Sequence, residues 1–328
     1  MTAYKEDMIM PGFTTHYLFG QNTYKQLKKN SLKKIIQANH AAYHLGLQGP
    51  DLFFYYLPSY TIHANNIGSV AHTEDTGKFL FYLLRSRQLF ADHRQQQIAE
   101  AYIAGFLGHY TLDTHCHPYV YWKTDFQEKN NCYHGRHMGL EVDIDTELLQ
   151  FYKHCLPSAF RQDTTIHLTH LQVRTIAAIL HFVYRKTYPE LGILYPTMYI
   201  SIRSIQLGTK WLWDPSGRKK RLLGRLERLI LGYPLLSTLI PSDTEHLYLD
   251  PLNILHRPWH NPWDLSQTSN DSFFDLMEKA QISYLELLSD FNQLIRQSPA
   301  HAKTPTKAFL RKLGNRSYHS GLDSRIPS

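Results

Sequence analysis

The stretch QQQIAEAYIAGFLGHYTLDTHCHP, residues Gln95 to Pro118, decides the fold. Ile98, Tyr102, Phe106 and Tyr110 recur at four-residue steps, so their side chains fall on one helical face. The spacing predicts a helix over 95–114, with Pro118 expected to stop it. On that helix His109 and Asp113 stand one turn apart on a single face, and His117 continues the stripe by one more turn. Ligand-type side chains converging from one helix face are a common beginning of a metal site. His115 points elsewhere on the same helix and ranks below His117. Cys116 faces away from its two neighbours and is left out of the ligand set.

Working outward, helical periodicity dominates over alternation. Residues 22–42, 73–86, 138–152 and 169–187 read as helices. The only strand signals are the fragments 119–121 and 198–202. The expected fold is all-α, with a multi-metal site among the helices. Residues 1–200 form one mostly helical domain, and 201–328 form a helical extension packed on it.

Composition agrees with a globular chain. Of 328 residues, 43% are hydrophobic and 19% charged, so disorder is excluded. Three cysteines, Cys116, Cys132 and Cys155, are an odd number and argue against a disulfide framework. No signal peptide is visible in the first ten residues, and the most apolar stretch, 229–240, is too short to span a bilayer. The expected location is therefore cytoplasmic. The anomaly is 20 histidines, 11 of them at or before residue 137 and five between 109 and 137. Histidine is the commonest metal ligand and the usual acid–base group near neutral pH. Those after residue 141 read as surface or core histidines.

A second element, His134-Gly-Arg-His137-Met-Gly-Leu-Glu141, repeats the i, i+4 geometry through His137 and Glu141. A chance His–Glu contact at a helix start explains one such pair, but two within 33 residues are harder to dismiss. Upstream stand His16, Asp51 after the rigid Gly49-Pro50 turn, and His72 just before a helix. Each alone is more often a cap or a core residue than a ligand; Asp51, for one, suits a cap on the Leu52 segment.

The order of these residues (a lone His, Gly-Pro-Asp, another His, His-x3-Asp-x3-His, then His-x3-Glu) resembles the zinc-dependent phospholipase C family. The wider superfamily includes fungal zinc nucleases that cut single strands. The segment His256-Arg-Pro-Trp259-His-Asn-Pro-Trp263, with Ser272-Phe-Phe, is similar to the tail of intracellular bacterial members. The resemblance implies two zinc centres, one held by Asp51, His72, His109 and Asp113, the other by His117, His137 and Glu141. In secreted members a third zinc uses the N-terminal amine and carbonyl; here His16 and Asp113 are the candidates for its side chains, and no signal peptide is expected whose removal would expose the N-terminal tryptophan. Secreted relatives also place more residues between the Asp and the next His, so His115 and His134 stay open as alternatives to His117.

Nitrogen and oxygen ligands suit Zn2+, and the carboxylates also admit Mn2+ or Fe2+. Divalent ions bind phosphate oxygens and acidify water, with Asp51 placed to orient that water or take its proton. The expected activity is hydrolysis of a phosphodiester, a phospholipid head-group bond first. A nuclease-like activity on nucleotides or single-stranded nucleic acid is the second reading. A catalytically inactive, metal-stabilised membrane-binding protein is the third. A pI near 9.1 suits any anionic partner. Tyr55, Tyr56 and Tyr60 are candidates for a cation–π pocket for a choline-like group, though core or rim packing is the plainer reading. Finally, Arg218 to Arg228 mixes arginines and lysines with leucines. That pattern suits either peripheral contact with an anionic membrane or a core helix with a solvated face.

Overall fold

The 31 residues His93–Lys123 form one helix around which much of the chain packs. The computed structural model describes residues 12–59, 66–126, 133–296 and 305–324; Tyr60 and Cys132, named above, lie outside them. In chain order the elements are α1 (Phe13–Gln26), α2 (Ser31–Ala38), α3 (His40–Gly46), a 3₁₀ segment (Gly49–Tyr55), α4 (Ile67–Thr73), α5 (Thr76–Arg85) and the long α6 (His93–Lys123). There follow α7 (Tyr133–Lys153), α8 (His170–Thr187), α9 (Tyr195–Leu212), α10 (Arg218–Leu231), the antiparallel hairpin β1 (Trp259–Asn261) and β2 (Asp264–Ser269), α11 (Phe273–Arg296) and α12 (Lys307–Leu313). Among the described residues the fold is all-α apart from that hairpin and an isolated bridge between Arg316 and Asp323. No helix among the described residues is long and apolar enough to cross a membrane.

Local chemistry sets most of the boundaries. Asp92 caps α6 by accepting from Gln95 N at 2.9 Å. Thr169 and Gln172 form a capping box that starts α8. The single helix expected over 22–42 is instead three. The chain leaves α1 at Leu27, and Asn30 begins α2 by accepting from Lys33 N at 2.8 Å. An asparagine side chain competing for backbone donors outweighs the continuous apolar spacing.

Pro118 does not end α6, which runs on to Lys123. Proline removes only one N–H from the ladder, leaving the Thr114 carbonyl without its helical donor. Gly321 packs against that carbonyl: a Cβ there would sit 2.5 Å from Thr114 O. His117, Tyr119, Val120 and Tyr121 are all buried, so packing on the flanks holds the turn that proline weakens. The two strand fragments read at 119–121 and 198–202 are both helical, inside α6 and α9. β-branched and aromatic runs that short follow their neighbours.

α3 and α6 approach backbone to backbone. A Cβ on Gly46 would lie 2.2 Å from Tyr102 O, and one on Gly105 would lie 2.1 Å from Tyr43 O. This close crossing carries the following 3₁₀ segment onto the His109 turn of α6. Tyr55, at the end of that segment, packs on Gly208 of α9.

α10 turns its leucines outward. Its buried residues are Gly224 and Glu227, whereas Leu222, Leu226, Leu229 and Ile230 are exposed, Leu229 by 83%. The cause is the Glu227 carboxylate, which accepts from the backbone N–H of Leu235, Leu236 and Ser237 and from Ser237 Oγ. A buried charge satisfied by four donors fixes which face looks inward.

Candidate metal centre

α6 supplies His109, Asp113 and His117 from successive turns, and all three are at most 5% exposed. α7 supplies His137 and Glu141, α1 supplies His16, the 3₁₀ segment supplies Asp51 and α4 supplies His72; each of these is also buried. The structure brings all eight sequence-derived residues into one cluster. His16, His109 and Asp113 offer ligand atoms within one metal-sized group, and Asp51, His72 and His109 form another. His117 Nε2 is 3.5 Å, and His137 Nε2 3.3 Å, from Glu141 Oε1. Asp113 joins the two halves, with Oδ1 at 3.2 Å from His16 Nε2 and 3.8 Å from His117 Nε2. His115 turns back on its own helix, its Nδ1 meeting the Thr111 carbonyl at 2.7 Å.

The Gly49-Pro50-Asp51 turn is shaped by close approach. Gly49 has φ +50°, and a Cβ there would fall 2.1 Å from His109 Cδ2. Only glycine combines that conformation with that contact.

Hydrogen bonding fixes the ring tautomers. Nδ1 of His72, His109 and His117 meets the carbonyls of Gly68, Leu47 and Tyr318 at 2.7, 3.2 and 3.0 Å. A carbonyl only accepts, so each Nδ1 carries the hydrogen, and in a neutral ring Nε2 then presents a lone pair. These lone pairs face carboxylates: His72 Nε2 lies 3.0 Å from Asp51 Oδ1, and His109 Nε2 lies 3.0 Å from Asp113 Oδ2. Two acceptors facing each other repel unless a cation lies between them. Burial pushes His109 down to about 3 while Asp113 lies well below its ordinary value, so a shared proton does not serve that pair. Asp51 Oδ1 and Oδ2, Asp113 Oδ2 and Glu141 Oε2 are buried without a hydrogen bond among the described residues. Divalent metal with nitrogen and oxygen ligands fits this donor set.

The carboxylates diverge in the metal-free protein. Burial, with Asp113 second, raises Asp51 well above the carboxylate range, and burial raises Glu141 to about 7. Burial acts the same way on Asp113, but His109, His117 and His16 outweigh it and hold Asp113 well below its ordinary value. Burial also opposes the charge on His16, yet Asp113 beside it raises that ring overall.

Two contributors escape a reading of the sequence. Asp145 accepts from Thr14 N at 2.9 Å, Thr15 N at 2.7 Å and Thr15 Oγ1 at 2.6 Å, pinning the first turn of α1 and hence His16. Its i+4 spacing from Glu141 is a signal that marks it. His319, beyond residue 141, is buried against the centre rather than in a distant core: its ring centre is 5.6 Å from that of His72 and 6.2 Å from that of His117. No local pattern announces this, because a turn near the C-terminus delivers it.

Residues 15–190, more than half of the chain, match the family model described as zinc dependent phospholipase C. The chain belongs to the zinc-dependent phospholipase C family. All eight clustered residues from His16 to Glu141 lie inside the matched segment, and His319 lies outside it. No curated protein and no solved structure matches the chain. At family level the domain is that of a metal-dependent phosphodiesterase, and its His/Asp groups suit zinc.

Proposed function

We propose that this family member hydrolyses a phospholipid head-group phosphodiester at a two-zinc centre, with a third site open at His16 and Asp113. Asp51, His72, His109 and Asp113 would hold one ion, and His117, His137 and Glu141 the other. When bound, zinc supplies Lewis acidity toward phosphoryl oxygens and makes water a nucleophile near neutral pH. The observation that carries this reading is the set of anchored imidazoles whose Nε2 lone pairs face buried carboxylates.

Asp51 is the residue placed to take a proton from the attacking water. Its two oxygens are buried and make no hydrogen bond among the described residues, which leaves them open to a bound water. Asp113 stays ionised among His16, His109 and His117 and holds the two halves of the cluster in register. The dry surroundings strengthen each of these interactions.

α10 supports a lipid substrate. Leu222, Leu226 and Leu229 make an exposed stripe, and Arg221, Arg225 and Arg228 make a parallel one beside it. An outward apolar stripe flanked by arginines is suited to an anionic bilayer, with the leucines in the acyl boundary and the guanidiniums at lipid phosphates.

The test compares zinc-loaded protein on phosphatidylcholine, single-stranded nucleic acid and an aryl phosphodiester. Turnover of the lipid above the other two is the expected result. Preference for nucleic acid would favour the nuclease alternative, and no turnover on any substrate would leave a structural metalloprotein.

A further inference from the structure

The C-terminal segment after α12 closes over the metal centre and is tied down along its length. Asn315 Oδ1 accepts from Gly77 N at 2.7 Å, and Tyr318 N donates to the His72 carbonyl at 3.0 Å. Asn261 of the hairpin donates through Nδ2 to the Ser320 carbonyl at 2.9 Å. Within the segment, Gly321 N returns to Ser317 O at 2.9 Å, making a tight turn with His319 at its tip.

His319 therefore has a defined position. Its ring touches one residue from each half of the cluster, His72 and His117, and lies 5.1 Å from the ring of Tyr121. It is 8% exposed, the least buried of the clustered residues. Its backbone N–H donates to Ser317 Oγ, but its imidazole makes no hydrogen bond among the described residues.

That last fact separates His319 from its neighbours. His72, His109 and His117 each give Nδ1–H to a carbonyl, the arrangement that prepares a ring to ligate metal. His319 has no such anchor. An imidazole carries at least one N–H in either protonation state, and no protein group among the described residues accepts from this one. The titratable side chains that face it are His72, His117, His137 and Asp113, so its N–H is left open to a ligand bound at the centre.

We propose that His319 is a substrate-contacting residue whose ring N–H donates to a non-bridging oxygen of the phosphate group bound at the metal centre. This rests on the phosphodiesterase reading for the identity of the substrate, but the phosphate contact itself is measured separately. A fixed turn presents the donor, so the contact needs little reorganisation when an anion enters.

The experiment is calorimetric titration of the zinc-loaded full-length protein with inorganic phosphate, alongside elemental analysis of zinc. His319→Ala is expected to weaken phosphate about tenfold or more while zinc per chain stays at the wild-type level. His319→Asn keeps an N–H donor and is expected to recover most of the affinity, which guards against a loss caused by misfolding. Equal phosphate affinity in wild type and His319→Ala overturns the inference. So does loss of zinc in step with the substitution, which would make His319 a metal ligand. If the wild type binds phosphate through His319 yet turns over no phosphodiester, the proposed activity fails and the contact stands.

Discussion

Tyr318 accepts a hydrogen bond through its backbone carbonyl from His117 Nδ1 at 3.0 Å, across 201 residues of chain. The outermost histidine of the α6 stripe is thus oriented by the C-terminal segment, not by its own helix. Its neighbour His109 is oriented by Leu47 in the same manner. Local geometry brings the ligand-type groups to one face, and distant backbone decides which nitrogen they present.

Asp113 touches more of the cluster than any other side chain, with His16, His72, His109 and His117 all within 3.9 Å. Asp113→Ala is expected to weaken zinc by on the order of 100-fold or more, since disturbing even an outer-shell partner costs 10–100-fold. Competition against a coloured chelator reads this directly. Unchanged affinity would remove Asp113 from the ligand set.

Glu141 gives a pH prediction for the metal-free protein. The native state keeps the proton up to about 7, whereas the unfolded chain releases it near the ordinary value of 4.5. The native state binds more protons inside that window, so the contribution of Glu141 to stability falls as pH rises from 4.5 to about 7. Glu141→Gln has no such titration. The Tm of Glu141→Gln minus that of wild type, measured without metal, should therefore grow across the window and level off above it. A flat difference would contradict the burial argument.

Gly49→Ala combines a positive φ of +50° with a Cβ 2.1 Å from His109 Cδ2. Backbone strain alone costs about 1–2 kcal/mol, and the collision adds displacement of His109. A Tm lower by several degrees together with reduced zinc content is the expected outcome. Stability loss with full zinc would mean that the turn yields instead of the ring.

Asp145→Ala strips the acceptor from two buried N–H groups at the start of α1. Roughly 1–3 kcal/mol per unsatisfied group is expected, read by denaturant midpoint. Because His16 lies in that turn, zinc bound through His16 and Asp113 should weaken as well.

Leu226 and Leu229 are both exposed on α10. The double change Leu226→Glu, Leu229→Glu should move folding stability by less than about 1 kcal/mol. It should abolish sedimentation with anionic liposomes at low salt. Retained binding would assign the surface another role.

The sequence by itself determined the register of the centre. Helical spacing places His109, Asp113 and His117 on one face and pairs His137 with Glu141, because i and i+4 neighbours meet in any α-helix. It also marked Gly49-Pro50-Asp51, though the need for glycine there became clear only from the His109 ring against it. Tertiary structure decided what sequence spacing cannot carry. Helices run through Pro118 and break at Asn30 according to packing and side-chain competition. Asp51 reaches the centre because α3 crosses α6 at glycine contacts, Asp145 pins the turn that carries His16, and His319 arrives on a turn tied to His72 and Asn261. The outward leucines of α10 depend on a single buried carboxylate, Glu227, finding its four donors in the next loop. A period in the sequence fixes which side chains share a face; only the folded chain fixes what that face meets.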